Sequence, residues 1–375
     1  MAGSLSASES DRAAYVALAL TPGIGSTRLA TLLQAFTTAH GALAAPLAFL
    51  GAIPGVSKAC ATAIKSTSVR AGERVLDEVA KLGGRCLVAG ELGFPAALLE
   101  IPEPPTLLFA LGDLRLLQRP AVAIVGSRDH SAYGAEACRM VAGTAASAGL
   151  VVVSGMARGL DAVAHLAALD AGGGTIGILG NGLGVVYPAA NRALYERVLA
   201  DGLLLTEFPP GDRPHIGNFP RRNRLISGLA RVTVVVEAAE GSGTLITVAS
   251  ALDQGREVMV VPGPITSRTS VGTNRLLRDG AAPYLEPADL GAHYPEAHSL
   301  AARGSVQPAR PALPHGLALS EEERRVALAL GPSARQLDSL VEEVGLPVDQ
   351  VLAALCALEL HGLVQQEPGR RFARS

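Results

Sequence analysis

A chain of 375 residues has room for two or three domains with a sizeable core. Hydrophobic residues make up 49% and mean hydropathy is +0.31, but alanine and glycine inflate both and no uninterrupted apolar run reaches 18 residues, so membrane spans are not expected. The formal net charge of −2 argues neither for nor against a polyanionic partner; only its local distribution is informative.

The first residues, MAGSLSASESDR, lack a basic stretch followed by an apolar one, so no secretory signal is expected. Cys60, Cys86, Cys138 and Cys356 are scattered without ligand spacing. They read as buried small hydrophobes in a reducing, cytoplasmic compartment, with no metal or cofactor implied. Residues 12–70 read as helical with two breaks, LTPGIGSTRLATLL and AIPGVSKACATAIK, each with Pro-Gly between an apolar run and a helix-like run. That is the shape of a helix-hairpin-helix (SAM-like) unit occurring twice. Gly23 and Gly25 would let backbone amides approach a DNA phosphate, and residues 1–70 carry five basic against two acidic side chains, so auxiliary DNA binding and plain packing both stay open. IPEPPTLLFALGD, 101–113, reads as a Pro-rich lead into the next domain.

From 120 to 290 strand-like apolar runs start near residues 122, 150, 175, 203, 232, 257 and 283, with helical pattern in most intervals. Seven strands alternating with helices predict an α/β domain with a mostly parallel, doubly wound, Rossmann-like sheet. The strands are apolar throughout, as expected when both faces are covered. Residues 296–315 read as a linker; three helical stretches and a hairpin with Pro-Gly at its tip then predict a winged helix over 316–375. The expected division is a helical domain over 1–85, the sheet domain over 86–295, the linker, and the winged helix.

In open α/β sheets ligands bind beyond the carboxyl ends of the strands, so the loops that follow each strand carry the functional expectation. They hold Gly126-Ser127-Arg128, Ser154-Gly155-Met156-Ala157-Arg158, Thr206-Glu207-Phe208 and Gly241-Ser242-Gly243-Thr244. Amides and hydroxyls at helix N-termini favour an anion. GILGNGLGVVYP has three alternate glycines, but Val185, Val186 and Pro188 follow, no helix starts before about Asn191, and the dinucleotide fingerprint is not met. FPRRNR sets Arg221, Arg222, Asn223 and Arg224 beside Phe219 in a domain with 14 arginines, no lysine and 15 acids over 120–290, so the basic charge is local. Arginine binds phosphate through a planar fork and stacks on bases, and Phe219 could stack on a base.

VGSR, SGMARGLDAVAH, GTIGILGNGLGVVYP, FPRRNRLISGL, GSGTLITVASALDQGREVMVVPG and GTNRLLRDGAAP occur in this order. Over roughly residues 90–290 the chain resembles the DprA/Smf family of bacterial DNA-processing proteins. The resemblance implies a non-enzymatic protein that binds single-stranded DNA, protects it during natural transformation, loads the RecA recombinase, and dimerises through the sheet domain. Carried onto this sequence, the strand contacts would be Gly126, Ser127 and Arg128; Ser154, Gly155 and Arg158; Phe219, Arg222, Asn223 and Arg224; and Gly241, Ser242, Gly243 and Thr244. Any family contact made by lysine is absent from the sheet domain or replaced by arginine.

The competing enzymatic reading is a Rossmann-like nucleotide phosphoribohydrolase with a Gly-Gly-x-Gly-Thr-x-x-Glu loop. EGSGTLIT aligns with it, but Thr247 stands at the catalytic glutamate and Glu240 at the first glycine, leaving no obvious general acid or base in the loop. Asp161 and His165, four apart on a helix, are the nearest carboxylate and imidazole and read as turn and packing residues. In the winged helix, PVDQVLAALCALELHG has two acids and no Lys or Arg, and residues 316–375 hold six arginines against nine acids. It is expected to be a poor major-groove reader with a protein-contact or packing role, leaving Arg370 and Arg371 at the tip as its DNA-facing charge.

Overall fold

A computed structural model describes residues 9–297, 319–330, 335–367 and 371–374. Most of the linker expectation, and the hairpin tip with Arg370, lie outside the described residues. The chain divides into two compact units, the first carrying the helical region and the main sheet, the second the C-terminal region.

In the first unit six helices come first: α1 Glu9–Ala19, α2 Ser26–Phe36, α3 Ala39–Ala44, α4 Leu47–Gly51, α5 Lys58–Ser66 and α6 Val69–Lys81. The Pro-Gly turns fall between α1 and α2 and between α4 and α5, as the sequence predicts. Gly23 and Gly55 adopt matching left-handed φ of 84° and 81°. Arg28 ties the two turns together, its Nε donating to the Gly55 carbonyl (2.7 Å) and its Nη1 to that of Gly23 (2.6 Å).

Nine strands follow: β1 Arg85–Val88, β2 Leu107–Gly112, β3 Ala121–Val125, β4 Val151–Ser154, β5 Thr175–Ile178, β6 Leu203–Thr206, β7 Val232–Val235, β8 Glu257–Val260 and β9 Ala282–Pro283. They form one sheet in the order β1-β2-β6-β5-β4-β3-β7-β8-β9. The seven expected strands are its parallel part, and β3 is flanked by both β4 and β7. Strand order therefore reverses at β3, which makes the carboxyl ends of β3 and β7 the switch point of the sheet. The Pro-rich lead at 101–113 is corrected: its second half is β2, which pairs antiparallel with β1 and β6. Both faces of β2 are covered over most of its length, so TLLFALG has no alternation to announce a strand, and the prolines before it belong to the preceding loop.

Alternate strand residues feed two layers. On one face Ala123, Val153, Ile178 and Leu205 pack with Leu225 and Ile226 of α10 (Asn218–Gly228) and Val248 and Ala251 of α11 (Thr244–Asp253). On the other, Val122, Ile124, Val152 and Val234 meet α7 (Ala132–Ser147) and α8 (Leu160–Asp170) through small side chains such as Ala142 and Ala164. The division expected at residue 85 falls inside this unit. Val16 of α1 and Val79 of α6 share a core with Cys86, Phe109 and Leu204, and Arg12 is ion-paired to Glu91.

The second unit holds helices Glu321–Ala329, Leu337–Val344 and Val348–Leu360 and a three-stranded sheet in which Arg371–Arg374 lies between Arg335–Gln336 and Val364–Glu367. This is a winged helix with its own core of Val326, Leu340, Val351, Leu355, Leu358 and Phe372. Cys60, Cys86 and Cys138 are buried as expected, but Cys356 is exposed. Helical period sends Val351, Leu355 and Leu358 inward and leaves Cys356 on the outer stripe with Leu352 and Leu360.

Candidate nucleic-acid interface

A cleft of about 1410 Å3 opens at the switch point, between the loops after β3 and β7 and the first turns of α10. Gly126, Ser127 and Arg128 form one wall and Gly241, Ser242, Gly243 and Thr244 another. Phe219, Arg222, Asn223 and Ile226 of α10 close it at helical spacing. A side pocket continues from it, lined by Arg128, Gly155, Met156, Arg158, Gly180 and Tyr187 among others. Twelve of the fourteen residues expected to contact a strand thus line one of two adjoining hollows.

The loops interlock closely. Gly159 has φ 80°, and a Cβ there would lie 2.5 Å from the carbonyl oxygens of Ser127 and Arg128, so only glycine brings the second loop against the first. The Leu160 amide donates to the Ser127 carbonyl at 3.1 Å. Gly182, in the false dinucleotide match, has a similar cause: a Cβ would sit 1.9 Å from the Pro209 carbonyl. After it the next α-helix, α9 (Arg192–Asp201), begins only at Arg192, which agrees with the rejected fingerprint.

Two expected residues lie elsewhere. Ser154 is fully buried, and its hydroxyl donates to the Ile124 carbonyl (2.7 Å), tying β4 to β3 beneath the cleft. Arg224 faces the far side of α10. Arg222 and Arg224 are two positions apart, about 200° around the helix, so both cannot face the cleft. Arg224 pairs with Glu207 at 2.5 Å and lines a separate groove of about 1660 Å3 with Arg221 and the hairpin turns.

Arg222 is 5% exposed, and its Nη1 donates to the carbonyls of Gly155 and Ile178. Burial lowers it to about 10, Asp161 opposing and Arg128 reinforcing the shift, so it stays charged at neutral pH. Asp161 is buried beside it. Burial raises its carboxyl, Arg222 pulls the other way, and the Ala157 amide donates to it at 3.3 Å. Asp161, in the first turn of α8, is thus held by the chain's own groups. His165 is fully buried, its Nδ1 within 2.6 Å of Thr175 Oγ1, and burial lowers it to about 3. In the β7 loop Ser242 Oγ accepts from the Thr244 amide and donates to its hydroxyl. Arg128, Arg158, Gly241 and Gly243 remain exposed toward solvent.

Tyr187 lines both hollows and was not anticipated from the sequence. Its ring stacks on Phe219 with centroids 5.6 Å apart and planes at 29°. The signal was present as an aromatic next to Pro188 in the loop after β5, but its partner is 32 residues away in sequence. No group of three or more potential metal ligands occurs among the described residues, and no helix among them is long and apolar enough to cross a membrane.

Residues 85–295 match the family model for DNA recombination-mediator protein A, and residues 307–370 match that of the DprA winged helix domain. The chain belongs to the DprA/Smf family. The Protein Smf of Escherichia coli is 38% identical over 74% of each chain. The solved DNA processing protein A of Streptococcus pneumoniae aligns with a TM-score of 0.65 and 32% identity, covering 77% of this chain and 98% of that one. That of Helicobacter pylori, described for its single-stranded DNA binding mode, aligns with a TM-score of 0.52 and 29% identity, covering 58% of this chain and 95% of that one. The DprA/Smf assignment spans the whole main sheet and, through the second model, the winged helix up to residue 370.

Proposed function

We propose that the cleft at the β3/β7 switch point binds single-stranded DNA without chemical turnover, and that the protein serves DNA uptake by protecting the strand and handing it to the RecA recombinase. The observation that carries the binding step is the convergence of Arg128, Arg158 and the glycine-rich β7 loop on two adjoining hollows that share Arg128 and the rings of Tyr187 and Phe219 in their walls. Exposed guanidiniums suit a phosphate chain and rings suit unpaired bases; such binding is sequence-tolerant and strongly salt-dependent. The Helicobacter pylori relative's single-strand binding supports the same reading. Non-catalytic action is supported by the candidate acid–base pair: Asp161 is engaged by Arg222 and the Ala157 amide, His165 by Thr175, and both are buried. Thr247, at the position of the phosphoribohydrolase glutamate, is 2% exposed on α11.

A mobility-shift series with single- and double-stranded oligonucleotides at rising salt tests the binding step. Preference for the single strand, with affinity falling steeply as salt rises, is expected; equal or stronger duplex binding would overturn it. Release of free base from nucleoside monophosphates would overturn the non-catalytic reading. Recombinase loading and dimerisation through the sheet domain extend the family resemblance. They are tested by RecA filament formation on protein-covered single strands and by sedimentation.

A further inference from the structure

We propose that the side pocket beside Tyr187 takes one nucleobase of the bound strand by its face, whatever the base; this rests on the single-strand reading of the cleft. The pocket opens from the cleft at Arg128, with Met156, Leu179, Tyr187, Pro188 and Phe219 as apolar walls. Phe219, the ring first expected to stack on a base, is already committed. It lies against the Gly180 backbone, where a Cβ would come within 2.7 Å of its Cδ1, and it stacks on Tyr187. Tyr187 is 45% exposed, so it is the ring a base reaches, with Phe219 as its support. A guanidinium at the mouth holds the flanking phosphate.

Tolerance of base identity follows from the pocket's own hydrogen bonds. Reading a base edge requires free donors and acceptors; the backbone carbonyls and the Asn181 amide beside the apolar walls are engaged within the chain, and the exposed Arg128 and Arg158 are left for phosphates. The carbonyls of Met156 and Ala157 accept from Asn191 Nδ2 at 3.1 and 3.0 Å. Those of Gly155 and Ile178 accept from Arg222. The Asn181 amide donates to Gly182 and Val185 at 3.0 and 2.8 Å. What the apolar walls offer a base is a π-face, and every base has one.

The chain contains no tryptophan, so Tyr187→Trp installs a single emission reporter in the pocket of the intact protein. Oligo-dT is expected to quench that emission, and an abasic oligonucleotide of equal length, at equal saturation, to leave it unchanged. Tyr187→Ala is expected to weaken dT, dA and dC alike, roughly 5- to 150-fold, without changing the affinity for the abasic strand. Equal quenching by both strands, no quenching by dT, unchanged dT affinity in Tyr187→Ala, or a loss confined to one base would each overturn the proposal. Arg128→Gln separates the two readings. If it weakens normal and abasic strands while Tyr187→Ala weakens neither, the cleft stands and the pocket falls. If wild-type protein binds no single strand, both fall.

Discussion

Arg222 and Arg128 sit in one cleft and do different work. Arg222→Leu leaves two buried carbonyls without their donor and removes the cation beside the buried Asp161, so a loss of about 2–5 kcal/mol is expected, checked by urea denaturation. Weak DNA binding by that variant would report unfolding. Arg128 is exposed. Arg128→Gln should leave the urea midpoint unchanged and reduce the slope of log affinity against log salt by about 0.7, measured by fluorescence anisotropy. His165 gives the fold a pH dependence. Its folded value is depressed from 6.5 to about 3, so its contribution is complete above pH 6.5 and is lost as pH falls toward 3. Urea stability should fall by up to roughly 1.4 kcal/mol per pH unit from this group below 6.5, and His165→Leu should flatten that slope between pH 6.5 and 5.

At the scale of elements, α10 divides one basic cluster between two grooves. FPRRNR reads in sequence as a single rim, and composition carries no information about which side of a helix each arginine takes. Once the segment is helical, Phe219, Arg222 and Asn223 face the cleft, and Arg221 and Arg224 face away. Arg224→Gln is accordingly expected to spare single-strand affinity while lowering stability by about 2–3 kcal/mol at neutral pH, because Glu207 loses its partner. Burial raises the Glu207 carboxyl, so the deficit should shrink on acidification as Glu207 takes up a proton; parallel denaturation at pH 7 and 5 checks this. The β3 and β7 loops were legible from sequence because an apolar run, a glycine and a helical pattern are local signals. Ser154 was misread for the converse reason: a hydroxyl at a strand end looks the same whether it faces solvent or, as here, bonds the neighbouring strand's carbonyl.

At the scale of the molecule, the winged helix has a core of its own, and its Val348–Leu360 helix carries no basic side chain. A chain ending at residue 297 is therefore expected to retain single-strand affinity within about threefold, checked by anisotropy titration of both forms. A larger loss would give the C-terminal unit a share in DNA binding. The sequence by itself determined the strand–helix alternation, the two hairpin turns, the winged helix and the sheet edge at which the glycine-rich loops gather, since apolar period and turn residues act within a few positions. Only the tertiary structure decided that β1 and β2 extend the sheet, that Arg222 is a buried brace, that Arg224 belongs to another groove, and that Tyr187 covers Phe219. Each of these depends on which distant segment fills the space beside a residue, and close packing across the sheet, not local propensity, sets that.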